Sequence, residues 1–77
     1  MSIEVKFFAS LRERVGKSAD CVDANSVATV LEVWQQTVGE STLDSNILAA
    51  VNMEYVDEGH TVRDGDEVAF FPPVTGG

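Results

Sequence analysis

The sequence holds a single cysteine, Cys21, and a single histidine, His60. One thiol excludes an intrachain disulfide framework, a thiolate-held iron–sulfur cluster and a CxxC redox pair. Cys21 and His60 together are too few for a zinc site. Cationic residues are scarce as well: five Lys and Arg stand against thirteen Asp and Glu, a net charge of −8. That balance makes nucleic acid and anionic lipid poor partners. No apolar run approaches the roughly 18 residues of a membrane span. The opening "MSIEVKFF" lacks a basic segment followed by the apolar run of a secretory signal. A cytoplasmic protein is the default expectation. Charge also stops altogether after Glu67, where the chain continues "VAFFPPVTGG".

What remains is enough for one small domain. A chain of 77 residues buries about 60% of its unfolded surface, which supplies one core and little room for a catalytic cleft. The apolar content of 44% argues for a folded domain despite the charge. The complement of an acidic surface is a partner with a basic docking face, and such an encounter slows as salt rises.

Periodicity gives a coarse order of elements. In "SIEVKFFA", Ile3, Val5 and Phe7 alternate with Glu4, Lys6 and Phe8, a half-buried strand with one aromatic on its polar side. "SLRERVGK" predicts a helical turn or two ending at Gly16, and "SADCVDA" a short second strand. Ser26 is the expected N-cap of a helix over residues 27–38, whose stripe Val27, Val30, Leu31, Trp34 and Val38 suits packing on a sheet. Gly39 ends it. After a polar connection over residues 40–46, "ILAAVN" reads as a buried strand and "NMEYV" as a turn into a brief edge strand. "DEGHTVRDGDE" carries two turn signals around Val62. "EVAFF" is the last strand, with Val68 and Phe70 on one side and Ala69 and Phe71 on the other; Pro72 stops it. The result is an α+β roll with a four- or five-stranded sheet covered on one face by one main helix, over residues 1–71, followed by an extended tail over residues 72–77. If the first and last strands are neighbours, Phe8 and Phe71 meet on the uncovered face as a partner-docking pair.

Catalytic chemistry is hard to place within the domain. His60 reads as a solvated loop residue and Cys21 as a small strand side chain without a base. The runs "DEG" and "DGDE" read as turns, and the second lacks calcium-loop spacing. Arg12 and Arg14 either pair with local carboxylates or are reserved for a carboxylate on a partner. The tail is more suggestive. Pro72 and Pro73 restrict its base and aim it outward, Val74 and Thr75 follow, and Gly76 and Gly77 present backbone without Cβ to a narrow tunnel. Its terminal carboxylate is inert until activated, which suits a reactive group delivered into another protein's active site.

"VKFFASLRERVG", "AAVN" and "DGDEVAFFPPVTGG" resemble the small subunits of molybdopterin synthase, a family of ubiquitin-like sulfur carriers. The resemblance implies a β-grasp fold with a mixed sheet. It implies that a ubiquitin-activating-like adenylyltransferase uses ATP to adenylate Gly77. Sulfur from a cysteine desulfurase route then yields a thiocarboxylate, and no cofactor is bound permanently. The charged tail, with Gly76 admitting it, enters the large synthase subunit of a heterotetramer and donates sulfur to cyclic pyranopterin monophosphate. By the same resemblance Phe8, Phe71 and Arg12, with Pro72, Pro73, Val74 and Thr75, face partners. The glycine often found after the asparagine of "AAVN" is replaced by Met53. Three alternatives share these features: a carrier for thiamine thiazole or another sulfur acceptor, a protein-conjugating modifier joined through Gly77, and an interaction module without tail chemistry.

Overall fold

The computed structural model describes residues 1–72. Its elements run β1 (Ser2–Phe7), α1 (Ser10–Val15), β2 (Ala19–Asp23), α2 (Val30–Val38), β3 (Leu48–Val51), β4 (Glu54–Val56) and β5 (Glu67–Phe71). The five strands form one mixed sheet in the order β2-β1-β5-β3-β4. β1 and β5 lie parallel at its centre, with Val5 beside Val68 and Phe7 beside Phe70. The remaining pairs are antiparallel. This is the β-grasp arrangement.

Alternation decides which residues enter the core. Ile3, Val5 and Phe7 of β1, Val68 and Phe70 of β5, and Ala49 and Val51 of β3 are buried, joined by Val30, Val33 and Trp34 of α2. Phe70 stacks on Phe7 at 5.9 Å and receives the edge of Trp34 at 5.0 Å. The indole Nε1–H is not lost to the core: it donates to the Thr42 carbonyl at 3.1 Å, tying the 40–46 connection down.

The main helix begins later than the sequence pattern predicts. Ser26 is not its N-cap. Thr29 is, in extended conformation, with a reciprocal capping box to Glu32. Val27 lies outside the helix and is still buried, so the apolar stripe extends past the helical residues and misplaces the boundary. Ser26 instead bonds the Asp23 carbonyl and Gln36. The first turn is closed from outside by loop 57–62, whose Glu58 and His60 carbonyls accept from the N–H groups of Leu31 and Val30. Gly39 ends the helix in the left-handed region at φ 86°, as Gly16 ends α1 at φ 88°.

Two short connections carry strain. Ala9, between β1 and α1, has φ 53° and ψ −132°, and the β3–β4 turn holds Asn52 at φ 52° and Met53 at φ 72°. Asn52 is anchored there: its Nδ2 donates to Asp66 at 2.9 Å and its Oδ1 accepts from the Glu67 N–H at 3.0 Å. The turn is thereby fastened to the start of β5. Pro73, Val74, Thr75, Gly76 and Gly77 fall outside the described residues.

Candidate functional site: an aromatic face at the root of the tail

The helix covers one face of the sheet and leaves the other open. Along β5 the dipeptide Phe70–Phe71 divides between them. Phe70 is fully buried under Trp34, while Phe71, its neighbour in sequence, is half-buried on the open side. Because β1 and β5 are parallel and in register, Phe8 follows directly beside it. The two rings lie 4.9 Å apart and within 7° of parallel. Phe8 remains 41% exposed. An offset stack that satisfies both rings only on one side leaves an apolar surface for another protein to cover.

The structure enlarges this pair. Tyr55 of β4 presents its edge to Phe71 at 5.9 Å, and Leu48 lies opposite Phe71 in the β3–β5 register. Both are exposed. Phe8, Phe71, Tyr55 and Leu48 thus form one patch, immediately before Pro72 and the tail. Sequence reasoning missed Tyr55 and Leu48. Their signal was the outward parity of each strand, but it becomes readable only once β3 is known to lie beside β5.

Charge borders the patch on its β1 side. Lys6 and Glu67 form a cross-strand ion pair at 2.9 Å on the same open face. The Glu67 carboxylate, by hydrogen bond and then by charge, pushes the Lys6 ammonium above its ordinary pKa. The two candidate arginines separate. Arg14 makes a two-pronged contact with Glu40 at 3.0 and 3.1 Å. Arg12, on the short helix that follows Phe8, is exposed and has no ionic partner among the described residues. A guanidinium so placed is free to meet a carboxylate on an incoming surface.

The remaining candidates do not gather. Cys21 is exposed on edge strand β2, opposite Glu4, and His60 is exposed in the loop that caps α2. No group of His, Cys, Asp and Glu among the described residues is arranged to hold a metal. No helix among them is long and apolar enough to cross a membrane. Pro72 is half-buried at the end of β5. The expected site residues Pro73, Val74, Thr75, Gly76 and Gly77 lie beyond the described part.

Comparison with known proteins agrees with this geometry. A model of the ThiS family matches residues 5–77. The molybdopterin synthase sulfur carrier subunit of Escherichia coli (strain K12) is 47% identical, over 97% of this chain and 99% of that protein. Among solved structures, SAMP1 from Haloferax volcanii superposes with a TM-score of 0.83 at 34% identity, covering 100% of both chains. The BexX/CysO complex of Amycolatopsis orientalis supplies another neighbour, with a TM-score of 0.65 and 31% identity over 97% of this chain and 99% of that one. The likeness runs through the whole sheet and on to the terminal glycines. The chain belongs to the ThiS family and is a close relative of the molybdopterin synthase sulfur carrier subunits.

Proposed function

We propose that the protein is the sulfur-carrying small subunit of a molybdopterin synthase. The observation that supports this most directly is the exposed stack of Phe8 on Phe71, extended by Tyr55, at the root of a Pro-Pro-to-Gly-Gly tail. The domain docks through that face, and docking holds the tail's end at high effective concentration inside the partner's pocket. Arg12 adds a polar contact at the margin. Within the described part, Pro72 sets the departure of the chain, since it cannot extend the β5 ladder.

The chemistry in this reading belongs to Gly77. Its carboxylate attacks the α-phosphate of ATP in an adenylyltransferase, and pyrophosphate leaves. A persulfide supplied by a cysteine desulfurase route displaces AMP to give an acyl disulfide. A second thiol of the sulfur-supplying proteins cleaves it, leaving the thiocarboxylate on Gly77 and a disulfide on the donor. In the large synthase subunit the thiocarboxylate sulfur bonds to carbon of cyclic pyranopterin monophosphate by displacing an oxygen substituent. Water cleaves the resulting thioester, leaving sulfur on the pterin and returning the Gly77 carboxylate. Two rounds of transfer install the two dithiolene sulfurs, and the assembly in this reading is a heterotetramer, a central dimer of large subunits with one carrier at each end. Gly76 contributes only the absence of a side chain. Intact-mass analysis of protein purified from its native host tests the reading. A fraction heavier by about 16 Da, the mass of sulfur replacing oxygen, is expected at Gly77. Normal cofactor sulfuration by a chain lacking Gly77 would falsify it.

A second reading has its own support, because SAMP1 is among the structural neighbours and related structures carry the name small archaeal modifier protein 1. In that reading Gly77 forms an isopeptide with a target lysine. Stable adducts carrying the terminal Gly-Gly on lysines of other proteins are its signature, and their absence from cells rich in the thiocarboxylate form sets it aside.

A further inference from the structure

One acidic groove has no part in the reading above, although it adjoins the aromatic face. It opens between the 43–48 segment and the end of β4, with a volume of about 330 Å³. Leu43, Leu48 and Tyr55 supply apolar wall, and Asp44, Asp57 and Glu58 supply carboxylates. Leu48 and Tyr55 belong to the aromatic patch as well, so groove and patch are one continuous surface. None of the three carboxylates has an ionic partner among the described residues. Four of the five cationic side chains, Lys6, Arg12, Arg14 and Lys17, lie within residues 6–17, on elements other than those that line the groove.

We propose that this groove receives a basic side chain, an arginine or lysine, projected by the protein that docks on the aromatic face. The proposal rests on that docking reading and names the chemistry of the partner at its β4 margin. A long cationic side chain matches both parts of the groove. Its methylene stem lies along Leu48 and Tyr55 while its head reaches the carboxylates. The same face then presents two unlike ends to a partner: a cation from Arg12 on one side and a cation-accepting groove on the other. Such an arrangement fixes the orientation of docking, which an aromatic stack alone does not.

Substitution can remove the charge and keep the turns. Asp44 and Asp57 each accept a local backbone N–H through Oδ1, from Asn46 and Gly59, and asparagine preserves that acceptor. The test measures binding of the large synthase subunit from the same organism to the full chain, by surface kinetics at two salt concentrations. The groove variant combines D44N, D57N and E58Q. A control variant combines E13Q, E54Q and D64N, which change the net charge equally away from the groove, and Phe71→Ala reports on the aromatic face. The expected result is a dissociation rate raised about tenfold or more in the groove variant, with the control within about twofold of the parent. Equal effects in groove variant and control overturn the proposal in favour of general electrostatic steering. A silent groove variant beside a strong loss in Phe71→Ala also overturns it and leaves the docking face standing. If Phe71→Ala is silent as well, the docking reading and the groove proposal fall together.

Discussion

Among the described residues, three non-glycine residues sit at positive φ: Ala9, Asn52 and Met53. Asn52 is held by its three bonds to residues 66 and 67, but Ala9 and Met53 gain nothing comparable from their side chains, and Met53 is 90% exposed. A left-handed conformation costs an ordinary residue about 1–2 kcal/mol, part of which glycine gives back through its freer unfolded chain. Met53→Gly and Ala9→Gly are therefore each expected to stabilise the domain by about 0.5–1 kcal/mol in urea unfolding. A destabilised Met53→Gly would mean that the methionine makes a contact the exposed turn does not reveal. Asp20 gives a pH prediction. A hydrogen bond from Lys17, then one from the Cys21 N–H, holds its carboxyl below the usual 3.8. A folded pKa lowered in this way stabilises above the unfolded value, and the contribution fades as pH falls through the folded one. The melting temperature of Asp20→Asn is thus expected below that of the parent at neutral pH, with the two converging in acid. A gap that persists unchanged into acid contradicts the assignment.

β5 shows how one element serves both stability and docking. Phe70 and Phe71 are chemically identical, yet parity sends the first under Trp34 and the second to the open face. Phe70→Ala removes a fully buried ring and is expected to cost about 3–5 kcal/mol. Phe71→Ala is expected to cost clearly less in unfolding and far more in partner affinity. Equal stability losses for the two would show that the open face is core. The start of α2 offers another discriminating pair. Thr29→Ala is expected to cost about 1 kcal/mol because it breaks the capping box, and Ser26→Ala less, since Ser26 bonds a loop carbonyl and Gln36. Alternation of single residues made β1 and β5 legible in the sequence, and Gly16 and Gly39 marked the helix ends. The N-cap was not legible, because Ser26 and Thr29 are both good capping residues. Only the approach of the 57–62 loop, with Val62 donating to the Ala28 carbonyl and Thr29 bridging to Thr61, settles which one closes the helix.

A net charge of −8 surrounds an aromatic face. Encounter with a basic partner is expected to slow several-fold as salt rises from about 50 to 500 mM, while the apolar contact holds the dissociation rate nearly constant. A salt-independent association rate would show that charge plays no part in docking. Composition alone excluded an intrachain disulfide and a thiolate-held cluster and made nucleic acid a poor partner, and local periodicity assigned each strand its buried and open sides. These properties depend on residues next to one another in the chain, and a sequence displays them directly. The parallel pairing of β1 with β5 joins segments about sixty positions apart, and the placing of β3 against β5 brings in Leu48 and Tyr55. Such contacts depend on register and on how the helix seats over the sheet. Packing of the whole chain therefore turned two isolated phenylalanines into a four-residue face and set an acidic groove beside it.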